Sequence, residues 1–197
     1  MATLNGLGPE TEHTHIISVL VENHFGVLAR ISGLFASRGF NIHSLAVGPT
    51  HDPTISRITL AVKGDDRVVE QIHKQLNKLV DVIKVQDLTS SGEFIDRELI
   101  LVKVAVPAAR RVEVIQLASA FQAHPIDISQ ETMTLELVGQ QTTIEAFLEI
   151  LAPYGLLELS RTGRIALSRG PGGMHSSFVK NYQRGEHSTM HSTVQRA

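Results

Sequence analysis

The sequence predicts an α+β fold made of two βαββαβ units in tandem, followed by a polar C-terminal tail. Three observations predict it. Residues 13–89 alternate β-branched runs with helical periodicity in the order strand, helix, strand, strand, helix, strand. Residues 96–169 repeat that order with a different sequence. After Arg169 the periodicity stops at Gly170-Pro171-Gly172-Gly173.

Residues 15–22 (HIISVLVE) are β-branched and aliphatic, the composition of a buried strand. Asn23-His24-Phe25-Gly26 interrupts that run with turn-type residues. Val27, Leu28, Ile31, Leu34 and Phe35 then recur at helical spacing over 27–38, and Gly39 sits where a left-handed C-cap favours glycine. Residues 41–48 read as a second strand and 49–53, with two prolines, as a turn. Next, Ile58, Leu60 and Val62 alternate with Arg57, Thr59 and Ala61, which predicts a third strand with one buried face. Gly64-Asp65-Asp66 opens a second helix, where a carboxylate caps free N–H groups and suits the helix dipole. Its apolar stripe is Val68, Val69, Ile72, Leu76 and Leu79, and residues 81–88 supply a fourth strand. This order gives the split βαβ, or ferredoxin-like, arrangement: an antiparallel sheet with both helices on one face.

Residues 90–95 are expected to link the units. In the second, a strand over 97–106 ends before Pro107, and a helix over 110–123 carries Val112, Ile115, Leu117, Ala118 and Phe121 as its apolar residues. Strands follow at 126–129 and 133–139, then a helix over 142–151 with Ile144, Phe147, Leu148 and Leu151. A final strand covers 156–160, with an extra segment at 163–168. The expected organisation is a flexible N-terminus (1–12), a first domain (13–89), a linker (90–95), a second domain (96–169) and a disordered tail (170–197).

Composition narrows the function. With 42% hydrophobic and 19% charged residues, the 197-residue chain is ordinary for a globular protein. A net charge of -2 argues against a nucleic-acid binder. The absence of cysteine excludes disulfides, thiolate metal sites and cysteine nucleophiles, and fits a reducing compartment. Residues 1–12 have neither an apolar h-region nor an Arg-rich stretch, so no targeting peptide is expected. No apolar run approaches the ~20 residues of a membrane span. Phosphate-binding, dinucleotide-binding, zinc-protease and serine-hydrolase motifs are all missing. His13 with His15, and His187 with His191, are too few ligands for a structural metal site. Arg161, Arg164 and Arg169 read as a solvated surface, with an acidic partner as the alternative. No catalytic residue, metal or cofactor is expected in this chain.

One segment stands out. Asn23-His24-Phe25-Gly26 precedes a helix N-terminus, whose free N–H groups and partial positive charge bind carboxylates. Gly26 allows close approach to the backbone, and Asn23 offers both a donor and an acceptor. Asn41, opening the second strand, is placed to meet the same end of a neighbouring copy. Together these would hold the two ends of a free amino acid, with Val27, Leu28 and Ile42 shaping a small apolar pocket. On the local pattern alone, a helix capped by Asn23 with a tightly packed Gly26 explains the segment slightly better.

The βαββαβ order, a glycine after the first strand and Arg38-Gly39-Phe40-Asn41-Ile42 before the second resemble an ACT domain. The likeness extends further. Ser18-Val19-Leu20-Val21-Glu22-Asn23, Gly26-Val27-Leu28-Ala29-Arg30, Gly33-Leu34-Phe35 and Asn41-Ile42-His43-Ser44-Leu45 resemble the acetolactate synthase small-subunit family. So do Pro49-Thr50-His51-Asp52-Pro53 through Arg57, Glu70-Gln71-Ile72-His73 through Val82, Arg97-Glu98-Leu99-Ile100 through Val104, and Ser160-Arg161-Thr162-Gly163. The resemblance covers residues 14–169. It implies a non-catalytic regulatory subunit that forms a homodimer through its ACT domains and activates a separate catalytic large subunit. That partner would use thiamine diphosphate, magnesium and FAD to make 2-acetolactate from two pyruvates. The resemblance further implies feedback inhibition by valine, the positions of Asn23, Gly26 and Asn41 belonging in the family to a valine site between two ACT domains. It implies work in the cytoplasm, or the plastid stroma if plastid-encoded, in branched-chain amino-acid synthesis. The rival reading is an ACT-domain regulator of a different amino-acid biosynthetic enzyme. An RNA-binding module on the same topology would need exposed aromatics on its central strands, and residues 56–62 contain none.

Overall fold

The computed structural model describes residues 13–171, 173 and 174. The expected flexible segment 1–12, His187, His191 and all but the opening of the tail lie outside the described residues.

Six elements make the first unit: β1 (His13–Glu22), α1 (Val27–Arg38), β2 (Ile42–Pro49), β3 (Ile55–Gly64), α2 (Asp66–Leu76) and β4 (Val82–Asp87). The second adds β5 (Phe94–Ala105), α3 (Arg111–Ala120), β6 (His124–Ile128), β7 (Thr132–Gly139), α4 (Gln141–Leu151), β8 (Leu156–Arg161) and β9 (Ile165–Ser168). The sheets have the orders β2-β3-β1-β4 and β6-β7-β5-β8, with every pairing antiparallel. The chain is therefore α+β, with two ferredoxin-like units in tandem.

Local chemistry sets the helix ends. α1 spans the expected residues, and Gly39 closes it at φ 70°, a left-handed conformation that costs glycine nothing. Asp65 caps α2 by accepting the Val68 N–H at 2.8 Å. Each unit has its own core between sheet and helices. Ile31, Phe35, Leu60 and Ile72 anchor the first, and Val102, Leu135, Ile144 and Phe147 the second.

Three expectations are corrected. The third strand was expected to bury one face, yet Ile55, Thr59 and Ala61 on the other face are buried along with Ile58, Leu60 and Val62. The cause is β5, whose twelve residues reach about 40 Å at ~3.3 Å each. Its C-terminal part pairs with β7 and β8, while Phe94–Arg97 pairs with β9. This two-stranded ribbon lies over the open face of the first sheet, where Phe94 and Ala166 pack on Ile16, Ala61 and Leu88. Further along that face Met174 packs with Leu20 and Ile55.

Of the arginine trio, Arg161 and Arg169 are exposed as expected, whereas Arg164 is drawn into a largely buried ion pair. Arg164 donates from Nε (3.0 Å) and Nη2 (2.7 Å) to Asp96 Oδ2. Arg161 pairs with the buried Glu98 at 3.4 Å, and Arg169 with Glu93 at 2.9 Å. Asp96 and Glu98 of β5 and Glu93 just before it, all distant in sequence, supply the partners. Finally, α3 turns Val114 and Ala118 inward with Leu117 and Phe121 half-buried, leaving Val112 and Ile115 exposed. Apolar residues lie on every side of this helix, so its periodicity fixes no phase.

Candidate functional site

β1 ends at Glu22, and residues 23–26 turn the chain into α1. The turn is tied to the loop before β3: the Asn23 backbone N–H donates to the Thr54 carbonyl at 2.7 Å, and its side-chain Nδ2 donates to the Pro53 carbonyl at 2.8 Å. Asn23 therefore does not cap α1. That place belongs to Gly26, at φ 87° and ψ -11°. A Cβ on Gly26 would meet only Arg30 Nη2, at 3.9 Å, so tight packing does not explain the glycine. The left-handed backbone does. Any L-residue there pays roughly 1–2 kcal/mol. Because glycine has no side chain, α1 begins with no side-chain cap and no acidic residue in its first turn. Its first N–H groups and the positive end of its dipole face out beside Asn23, an arrangement that receives a carboxylate.

The other expected residues divide. Val27 is a core residue at 4% exposure, while Leu28 is partly exposed beside the turn. Asn41 is exposed just before β2, and Ile42 is half-buried against the first core. Register locates them: Ile42 and His15 both pair with Val62, whereas Glu22 pairs with Ile55. Asn41 and Asn23 thus lie at opposite ends of the sheet, separated by about seven strand residues, or ~23 Å. A single chain brings together Asn23, Gly26 and Leu28 and leaves Asn41 and Ile42 apart.

The same turn carries a charged cluster that sequence reasoning missed. His24 Nε2 lies 3.0 Å from Asp81 Oδ1 and 3.4 Å from Glu22 Oε2. The other Asp81 oxygen accepts Arg30 Nη1 at 2.7 Å. Asp81 is buried, and the Glu22 N–H donates to its carbonyl at 3.0 Å because β4 starts beside the end of β1. His24 Nδ1 sits 3.0 Å from the Phe25 carbonyl, which can only accept, so Nδ1 carries the proton. That hydrogen bond is the chief reason the imidazole pKa is raised above its ordinary value; desolvation opposes it, and the Asp81 and then the Glu22 carboxylate add to it. No signal in the sequence joins Asp81 to His24, because strand pairing alone makes them neighbours.

Comparison with known proteins agrees with this architecture. Residues 17–84 match the family model for the AHAS small subunit-like ACT domain, and residues 97–170 match that for the small subunit of acetolactate synthase. A probable acetolactate synthase small subunit of Archaeoglobus fulgidus is 47% identical over 156 residues, covering 79% of this chain and 97% of the relative. The chain belongs to the acetolactate synthase small-subunit family. The acetolactate synthase small subunit of Mycolicibacterium smegmatis is 46% identical over 161 residues, covering 82% of this chain and 94% of that relative. Among solved structures, the acetolactate synthase small subunit of Thermotoga maritima superposes with a TM-score of 0.75 at 38% identity, across 81% of this chain and 99% of that one. The family's tandem architecture and its N-terminal ACT domain are therefore those of this chain. No helix among the described residues is long and apolar enough to cross a membrane.

Proposed function

We propose that this chain is the regulatory subunit of acetolactate synthase, activating a catalytic large subunit and conferring feedback inhibition by valine in branched-chain amino-acid synthesis in the cytoplasm. The catalytic partner carries the thiamine diphosphate, magnesium and FAD; this chain contributes the effector site. Membership of the small-subunit family supports the regulatory role. The observation that carries the effector reading is the N-terminus of α1, opened by Gly26 in a left-handed conformation, without a side-chain cap, beside Asn23.

Topology supports a site shared by two copies. β2 is an edge strand parallel to β1, since both run antiparallel to β3. If two β2 edges pair antiparallel, Asn41 and Ile42 of one copy move to the end where Asn23 and Gly26 of the other lie. The valine carboxylate then meets the α1 N–H groups and its ammonium the asparagine carboxamides, while Leu28 and Ile42 bound the aliphatic side chain. Valine bridges two chains and so favours one arrangement of the pair. It inhibits only if that arrangement suits the less active catalytic subunit, because a ligand shifts only states it distinguishes.

The test is reconstitution with a catalytic large subunit and assay of acetolactate formation with and without valine. Activity should rise on mixing and fall with valine. Gly26→Asp forces a side chain onto a left-handed backbone and sets a negative charge beside the effector carboxylate. It should raise the half-inhibiting valine concentration at least about tenfold, within the 5–150-fold span of typical allosteric coupling. Unchanged sensitivity in that variant would reject the site. No activation of any large subunit, with valine still raising the thermal midpoint of the chain, would reject the partner and leave the effector site standing.

A further inference from the structure

We propose that Glu22, His24 and Asp81 form a binding site for a divalent cation of the zinc class, where the sequence led us to expect no metal site. Their ligand atoms all lie within 4.8 Å of one another. Two donors bound to one tetrahedral zinc at about 2.0–2.1 Å stand roughly 3.3–3.4 Å apart, and closer when the angle between them narrows. The observed 3.4 Å from His24 Nε2 to Glu22 Oε2 and 3.0 Å to Asp81 Oδ1 match such edges.

The donors are also held from outside the cluster. His24 Nδ1–H donates to the Phe25 carbonyl, which leaves Nε2 as the donor turned toward the two carboxylates. Metal-bound histidines are oriented by just this kind of bond from the second ring nitrogen. The free oxygen of Asp81 is fixed by Arg30 at 2.7 Å, and the Glu22 N–H is anchored on the Asp81 carbonyl at 3.0 Å. An imidazole lone pair facing two carboxylate oxygens is repulsive unless a proton or a metal ion stands between them.

Counting Arg30, two carboxylates and a neutral imidazole leave one net negative charge for the incoming ion. One nitrogen with carboxylate oxygens selects zinc, cobalt or nickel over magnesium or calcium, which prefer all-oxygen shells. Glu22 and His24 line a cleft of about 380 Å³ shared with Asn23, Thr54, Ile55 and Ile83. The cleft gives an ion or water access to the Glu22 and His24 side of the cluster.

The experiment uses the full chain, stripped of metal, without catalytic partner or valine, so its outcome is independent of the effector reading. Zinc is titrated by calorimetry and cobalt by visible absorption, in the wild type, His24→Ala and Glu22→Gln. Both side chains are substantially exposed, and thermal melting checks that the variants stay folded. The expected result is one saturable equivalent with a tetrahedral cobalt spectrum, missing from both variants. Equal uptake in wild type and variants would place the metal on other histidines and overturn the proposal. No saturable uptake in the wild type would mean that a proton alone bridges His24 to the carboxylates, and would overturn it equally.

Discussion

The two units share one topology and differ in what covers their sheets. The first sheet has α1 and α2 on one face and the β5–β9 ribbon with Met174 on the other. Ile16, Leu20 and Ala61 are buried there, in places that an open antiparallel sheet gives to water. In the second sheet the helices cover one face, Val138 on β7 is about half exposed, and β6 and β8 are exposed at every position. The first unit therefore takes part of its core from the second, while the second completes its core alone. Fully burying a Leu or Ile side chain contributes about 1.5–3 kcal/mol. Ile16 and Ala61 under the ribbon, and Leu20 under Met174, make this cover a substantial part of the first unit's stability. The ribbon also ties the effector-bearing unit to the rest of the chain, so a change in one has a mechanical route to the other.

The strongest way to break this asymmetry is to release the ribbon. Asp96 and Arg164 are nearly buried, with side-chain exposures of 9% and 13%. Asp96→Ala leaves the Arg164 guanidinium buried without its carboxylate, which should cost about 3–5 kcal/mol in chemical denaturation. Hydrogen exchange should then accelerate along β1 and β3, whose outer face the ribbon covers, more than along β7. Equal acceleration in both sheets would mean that the pair stabilises the whole chain and that the first sheet does not depend on the ribbon.

A smaller effect sharpens the same contact. Gly163, just before β9, has φ 77°, and a Cβ there would lie 3.1 Å from the Leu45 carbonyl oxygen of β2. Gly170, at φ 81°, has nothing within 4 Å of such a Cβ. Both alanine variants pay the left-handed cost of roughly 1–2 kcal/mol, but only Gly163→Ala must also push the units apart. It should therefore lower the denaturation midpoint further than Gly170→Ala. Equal shifts would show that β2 gives way without cost.

Legibility in the sequence follows the range of the interaction. The bounds of α1, its Gly39 cap, the Asp65 cap and the strand order rest on residues within one or two turns of each other, and these could be read directly. The second buried face of β3 could not, because Phe94 and Ala166 reach it from a different unit. Arg164 looked solvated because its partner Asp96 lies 68 residues away in the chain and only the pairing of β5 with β9 brings it near. At the candidate site, Gly26 was legible as a special residue, but the reason is its backbone conformation and not tight packing. Asp81 was invisible as a neighbour of His24, since only the pairing of β1 with β4 brings it there.

The finest comparison lies at matching helix starts. Asp65 and Gln140 precede α2 and α4 with nearly the same extended backbone, φ -86° and ψ 173° against φ -76° and ψ 159°. Asp65 caps its helix, whereas Gln140 makes no side-chain cap bond. Asp65→Ala should therefore cost about 1 kcal/mol, and Gln140→Asp should add roughly 0.5–1 kcal/mol, since aspartate at this position accepts a free N–H and meets the positive end of the dipole. Denaturation midpoints of the two single variants read both values. If Asp65→Ala destabilises but Gln140→Asp adds nothing, the first N–H groups of α4 already have other acceptors. The two units would then differ in how they begin their second helix as well as in how they cover their sheets.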